Sequence, residues 1–343
     1  MPRLLVLLLA LAALALSACG GDDGGGGDGV SGGPDKLTIY SGRAEPLVED
    51  LYKQFEKESG IDVEVRYGDS AELAATIGEE GDNSPADVFF SQDAGALGAI
   101  AERGRLDVIP KEVVGRVDAR FRDAGRRWVG VSGRARVLAF STERLQEGDL
   151  PGSVFDLTDA KWKGKVGIAP TNASFQAFVS AMRIDVGDTK TRAWLEAMDA
   201  NDPKLYENNL LTVQGIADGE VDVGLVNHYY LYEIRAEQGD VPVENHFLRA
   251  GDPGSLVNAA GIGILEGNDS PDEARRFADY VLSPEGQRYF AEKTAEYPLV
   301  AGVEPGEELK PLDEIQGPRI NLGQLGEKLP STLEMIEGAG LTN

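Results

Sequence analysis

Along this chain, short runs rich in β-branched and aromatic residues alternate with longer stretches whose apolar residues recur at helical spacing. The two periods, near two and near 3.6 residues, belong to different kinds of element, so the alternation specifies strands and helices in turn. Such a chain has few ways to bury both kinds. The simplest is a mostly parallel sheet with helices on both faces.

Leu37-Thr-Ile-Tyr40 predicts a strand and Pro46 to Ser59 an amphipathic helix. Ile61 to Tyr67 predicts a second strand, Ala71 to Glu80 a helix, and Ala86-Asp-Val-Phe-Phe90 a buried strand. Trp128 to Phe140 is a longer extended stretch, and Lys165-Val-Gly-Ile-Ala169 is a short strand with a helix beginning near Asn172. Asp222-Val-Gly-Leu-Val226 runs into Asn227-His228-Tyr229-Tyr230, after which Leu231 to Gln238 reads as a helix. Ala260 to Leu265 and Ser270 to Leu282 add another strand and helix. The expected architecture is α/β, with two doubly wound lobes formed by residues 36–134 plus 263–311 and by 135–262 plus 312–343. Strands crossing near Gly133 to Val137 and near Asn258 to Gly263 would form the hinge, and a ligand would sit in the cleft at the strand ends.

Ahead of this body, Met1-Pro-Arg3 and an uncharged apolar run from Leu4 to Leu16 have the pattern of a secretory leader, residues 1–18. Leu16-Ser-Ala-Cys19 is a small-residue cleavage site ending in the chain's single cysteine, and it resembles a lipobox. The run is short for a membrane span, which takes about 20 apolar residues. The expectation is therefore a protein lipidated on Cys19 and tethered outside the cytoplasmic membrane through a Gly/Asp-rich leash, residues 19–35. One thiol permits no internal disulfide, so the fold rests on its apolar core. The formal charge of -25 disfavours nucleic acid and anionic lipid surfaces, both of which call for a basic stripe.

Tyr229 and Tyr230 sit at a strand-to-helix junction. Neighbours on a regular helix would point about 100° apart, but a junction can turn both rings toward one point. Two phenolates there would suit a hard, highly charged ion such as Fe(III), which displaces the phenolic proton normally lost near pH 10. An aromatic pair filling a core or a lobe interface fits the same residues. Tyr232 offers a third phenol or a packing group, and His228 beside the pair is a candidate hydrogen-bond partner.

The stretches Leu37-Thr-Ile-Tyr-Ser-Gly-Arg43, Ser84-Pro-Ala-Asp-Val-Phe-Phe90, Trp162-Lys-Gly-Lys-Val-Gly-Ile-Ala-Pro-Thr171 and Gly219-Glu-Val-Asp-Val-Gly-Leu-Val-Asn-His-Tyr-Tyr230 resemble the ferric-ion-binding proteins of periplasmic transport, often called bacterial transferrins. Ser283-Pro-Glu-Gly-Gln287 is shared with binding proteins for other ligands and bears on the fold alone. The resemblance implies a periplasmic-binding-protein type II fold that carries Fe(III) on Tyr229 and Tyr230 and hands it to the permease of an ATP-driven (ABC) importer with a cytoplasmic ATPase. It also implies a synergistic anion, carbonate or phosphate, facing Arg43, Asn172, Ala173, Ser174, Asn209 and Asn227. Several family members add a histidine in the first loop and a glutamate after the third strand, where this chain has Ala44 and Gln92. The metal shell must then be completed by Asp93, by Tyr232 or, as the favoured expectation, by the anion. Arg134 and Arg136 either neutralise cleft charge, contact the anion or bridge the lobes.

No nucleophile elbow, phosphate-cradling loop or His-Glu-x-x-His pattern occurs, and two histidines supply little general-base material. The expectation is a monomeric, non-catalytic carrier. The same fold with a phosphonate, or with a small organic cation such as thiamine or a polyamine, is the alternative.

Overall fold

The computed structural model describes residues 35–342, so the apolar leader, Cys19 and nearly all of the Gly/Asp-rich leash lie outside the described residues. In the first part of the chain, β1 (Lys36–Ser41), α1 (Glu45–Ser59), β2 (Asp62–Tyr67), α2 (Ser70–Glu80), β3 (Val88–Ser91), α3 (Ala94–Glu102) and α4 (Lys111–Val114) lead into the long strand β4 (Val129–Ser141). There follow β5 (Val166–Ile168), α5 (Ala173–Val186), α6 (Asp188–Ala200), β6 (Lys204–Leu205), α7 (Asn209–Ala217), β7 (Val223–Asn227), α8 (Tyr230–Gln238) and β8 (Val243–His246). The chain then forms β9 (Val257–Ile264), α9 (Pro271–Val281), α10 (Pro284–Lys293), β10 (Tyr297–Pro298) and the final helix α11 (Leu325–Gly338).

The strands lie in the order β2-β1-β3-β9-β4-β7-β5-β6, with β8 and β10 also paired to β4. The sheet is mixed rather than mostly parallel. Its flanks are parallel, β1 with β2 and β3, and β5 with β6 and β7, as helical crossovers dictate. Its middle is antiparallel, because β9 runs against β3 and β4, and β4 against β7 and β8. Antiparallel neighbours need no crossover helix, so the sequence alternation does not announce them.

β4 joins the two wings of this sheet. Its Val129 to Ala135 pair with β9, and from Arg136 to Phe140 it pairs with β7, so the change of partner falls within Gly133 to Val137. β9 pairs with β3 and β4 over its whole length, so the chain has already entered the first wing by Val257.

Each wing has its own aromatic packing. Beside the first, Phe55 meets Phe277 edge-on at 5.2 Å and Tyr280 at 5.4 Å, while Phe90 contacts Phe277 and Phe290 at 6.4 Å. Beside the second, Phe178 stacks edge-on against Phe175 at 5.7 Å and Trp194 at 5.6 Å. β3 is buried on both faces, which explains its unbroken Val88-Phe89-Phe90 run. Among the described residues no helix is long and apolar enough to cross a membrane.

Candidate metal and anion site

The loops that follow β1, β3, β5 and β7 carry the polar side chains singled out in the sequence, and β4 adds Arg134 and Arg136 between them. Tyr229 ends the short loop after β7 and Tyr230 is the first residue of α8. Their ring centroids are 4.3 Å apart and inclined by 31°, so the junction does turn both rings to one side. Tyr229 is buried and its hydroxyl has no protein partner. Burial, and then Tyr229 itself, push the Tyr230 phenol well above its ordinary pKa, while Arg134 pulls it back. Without a strong cation the Tyr230 oxygen therefore keeps its proton at any physiological pH.

Three buried guanidinium groups interact with the pair. Arg43, in the loop after β1, keeps Nε and Nη1 without protein partners while Nη2 is held by Glu296. Burial opposes the Arg43 charge, but Glu296 and then the two tyrosines outweigh it and hold its pKa above the ordinary value. Arg134 is 1% exposed, none of its three guanidinium nitrogens finds a hydrogen-bond acceptor, and Nε stands 3.9 Å from Glu296. Arg136 donates to the Ser174 hydroxyl at 3.2 Å and the Leu225 carbonyl at 2.9 Å, and lies over Phe175 and Phe178 at 5.5 and 5.1 Å. Its burial lowers the pKa to about 9.

The helix start after β5 forms the remaining wall. Asn172 caps α5: its Oδ1 accepts from the Ser174 N–H at 3.0 Å, the Ser174 hydroxyl at 2.7 Å and Asn209 Nδ2 at 3.0 Å. Asn209 also donates to Ser174 Oγ at 3.0 Å, tying the start of α7 to that of α5. Ala173 is the first residue of α5, where backbone N–H groups have no partner inside the helix. The Asn209 Oδ1 and Asn227 Nδ2 atoms are buried without protein partners.

Two further candidates have other duties. Asp93 caps α3, its Oδ1 accepting from Gly95 N–H at 2.7 Å and Ala96 N–H at 3.1 Å; burial raises its pKa and Arg134 opposes the rise. Tyr232 donates to the Glu308 carbonyl at 3.1 Å and packs beside Tyr297, Leu309 and Ile315, which turns it toward the 309–315 segment. Ala44 precedes α1 as a cap without a side-chain bond, and Gln92 is partly buried. His228 is buried with Nδ1 accepting from Ala135 N–H at 3.2 Å, which leaves Nε2 to donate to the Ala295 carbonyl at 2.8 Å. Its ring stacks on Tyr297 at 4.8 Å and meets Tyr229 edge-on, so it acts as a neutral wedge behind the pair. Among the described residues no group of three His, Cys, Asp or Glu is placed to hold a metal.

Two acidic residues escaped the sequence reading. Glu296 is fully buried and accepts from Arg43, from Ser132 at 3.0 Å and from Thr294 at 3.1 Å. Glu233, in the first turn of α8, has a raised pKa from burial and senses Arg43 and Glu296. Nothing in the local sequence around either residue announces a buried charge. A concavity of about 980 Å³ lined by residues such as Arg120, Asp185, Gly251 and Arg319 shares none of its lining with this site.

Residues 83–316 match the family model described as bacterial extracellular solute-binding protein. The chain is 32% identical over 309 residues to the major ferric iron-binding protein of Neisseria meningitidis serogroup B, covering 89% of this chain and 93% of that one. The chain belongs to the ferric-iron-binding periplasmic protein family. Within this family it is also 30% identical to the Fe(3+)-binding periplasmic protein of Serratia marcescens, over 89% of this chain and 90% of that one. Among solved structures, iron-bound HitA from Pseudomonas aeruginosa superposes with a TM-score of 0.86 at 33% identity, covering 90% of this chain and all of that one. The Trichodesmium protein IdiA (FutA), solved with iron and citrate ligands, superposes at 0.78 with 30% identity and covers 90% of this chain and 100% of that one. These relatives are two-lobed type II periplasmic binding proteins, and the mixed α/β sheet here has that fold. As a member of this family the chain is a solute-binding transport protein that works with an ABC permease, not an enzyme.

Proposed function

We propose that this protein captures Fe(III) outside the cytoplasmic membrane, holding it between its two lobes by the phenolates of Tyr229 and Tyr230 together with a bound anion, and delivers it to the permease. The observation that carries this reading is the set of buried polar atoms without protein partners on the loops and strand that bear the tyrosine pair and its neighbours: Tyr229 Oη, Nε and Nη1 of Arg43, the whole Arg134 guanidinium, Asn209 Oδ1 and Asn227 Nδ2. A buried donor or acceptor left unmade costs about 1–3 kcal/mol, so such a concentration is tolerated where a ligand completes it.

The division of labour follows from charge. The tyrosines supply the hard anionic oxygens once the metal has displaced their protons. Arginines cannot ligate a cation, so Arg43 and Arg134 face the anion, which also meets the α5 start at Asn172, Ala173 and Ser174, with Asn209 and Asn227 beside it. Carbonate or phosphate fits that set, and a carboxylate chelator such as citrate uses the same donors. The anion then fills the positions that Ala44 and Gln92 leave without a strong ligand. Asp93 has one oxygen committed to its helix cap and is the weaker candidate for the shell; Tyr232 is bonded elsewhere. Two lobes that meet where β4 changes partner, within Gly133 to Val137, close around the cargo, and a lipid on Cys19 keeps the protein at the membrane.

The arginines favour one other reading, a phosphonate or similar small anion bound without metal, over an organic cation. Titration with Fe(III) in the presence of carbonate separates the two. Wild type develops a visible phenolate-to-iron band that the Tyr229→Phe/Tyr230→Phe protein lacks; a wild type that stays colourless while binding a phosphonate rejects the iron reading.

A further inference from the structure

α11 is fastened to the two wings in unlike ways. On the α5 side the bonds are directional: Arg183, 6% exposed, donates Nη1 to the Lys328 carbonyl at 3.1 Å and to the hydroxyls of Ser331 and Thr332 at 2.8 Å. Asp188 holds the other side of that guanidinium at 2.9 and 3.1 Å, and the Ser180 and Thr332 hydroxyls share a bond at 2.9 Å. On the α3 side the two backbones approach closely, with the buried Leu325 packed beside Gly95. A methyl on Gly326 would lie 2.5 Å from the Ala99 nitrogen and 2.8 Å from the Gly95 carbonyl oxygen, and one on Gly98 would lie 2.8 Å from the Gly323 carbonyl oxygen. The two helices so joined both begin at the site. α3 starts behind Asp93, in the wing that supplies Arg43, and α5 starts at the Asn172–Ser174 cradle, in the wing that supplies the tyrosines.

From this arrangement we infer that Arg183, Gly98 and Gly326 are positioning residues for the closed site: α11 is a strut, clamped to α5 and seated on α3, whose seating depth sets how near the arginine side comes to the tyrosine side. The inference rests on the two-lobed iron reading given above. A directional clamp at one end makes α11 travel with α5, while the close glycine seat on α3 leaves no room for an added methyl. Arg183 stands nine residues along α5 from Ser174, about 14 Å at helical rise, so it acts on the cradle without touching the ligand.

Four proteins test this: wild type, Gly98→Ala, Arg183→Met and the double variant, each loaded with Fe(III) and carbonate and followed for iron release to a chelator, with thermal midpoints and radii of gyration alongside. The added methyl lifts α11, and through the clamp α5, so Gly98→Ala releases iron at least tenfold faster and expands the loaded protein. Arg183→Met alone releases iron a few fold faster. In the double variant the lifted helix no longer pulls α5, so release returns toward that of Arg183→Met although the protein is less stable than either single variant. Purely structural roles would give additive losses, and additive losses, or a folded Gly98→Ala that releases iron at the wild-type rate, overturn the strut. Should Gly98→Ala not fold, the same comparison with Gly326→Ala decides, and an unaltered release rate in Arg183→Met overturns it independently. A wild type that takes up no iron refutes the iron reading instead; the strut is then judged on the radii of gyration, where expansion by Gly98→Ala and its reversal by Arg183→Met are still required.

Discussion

Nη2 of Arg43 donates to both carboxylate oxygens of Glu296 at 2.9 Å, a pair separated by 253 residues in sequence and closed off from solvent. Only one guanidinium nitrogen is used, so the carboxylate anchors Arg43 while its other nitrogens stay available. Glu296 also stands 3.9 Å from Arg134 and thereby shares its charge between two arginines that would otherwise repel. On the proposed reading the pair prepares an anion site. It is a costly arrangement, because both charges must leave water.

Removing one partner exposes that cost. Glu296→Ala leaves Arg43 buried and uncompensated and is expected to destabilise the protein by about 3 kcal/mol. Denaturant unfolding measures it, and a loss below about 1 kcal/mol would show that water reaches the pair.

Arg134 predicts the opposite sign for stability. Its guanidinium is buried with no hydrogen-bond acceptor, so Arg134→Leu removes an unmet desolvation cost and should raise the thermal midpoint of the iron-free protein. The same variant should bind Fe(III) at least tenfold more weakly and lose its dependence on carbonate concentration. A destabilised variant with unaltered iron binding would make Arg134 a structural residue.

Much of this was legible in the sequence, for physical reasons that differ by element. β1, β3 and β7 were found because each buries a short β-branched or aromatic run, and the half-exposed β2 because its apolar and polar residues alternate. The facing of Tyr229 and Tyr230 followed from their place at a strand-to-helix junction. The antiparallel middle of the sheet was missed, since the pairing of β4 with β7, β8 and β9 is set by long-range register rather than local pattern. Glu296 was missed for the same reason: it reads as one more charge in an acidic chain until the fold brings it to Arg43. α11 carries Pro330 inside it, a residue that argues against a helix when packing is unknown, yet its contacts with α3 and α5 hold it helical.

Acid should find a specific weak point at His228. Burial lowers its pKa from 6.5 to about 4. Above pH 6.5 neither the folded nor the unfolded chain protonates it; between 6.5 and 4 the unfolded chain takes the proton first, so stability falls as pH falls. The loss is complete below about 4 and amounts to about 3 kcal/mol. His228→Asn should flatten the stability profile over that window whatever its effect at neutral pH, and an unchanged slope would assign the acid sensitivity to other groups.

The anchor is tested by location. Expressed with its own leader in a bacterial host, the protein should partition with membranes, and Cys19→Ser should be found uncleaved or in the soluble fraction without a lipid. A variant distributed and processed like wild type would remove the lipid from the account.

Iron capture as proposed turns on two phenol oxygens gripping one ion. Crystals of the protein loaded with Fe(III) and carbonate, with anomalous diffraction recorded at the iron edge, address this directly. The predicted result is a single peak bonded to the Oη atoms of both Tyr229 and Tyr230, with an anion between it and the Asn172–Ser174 turn. A peak elsewhere on the molecule, or none while both rings pack against protein, would contradict it.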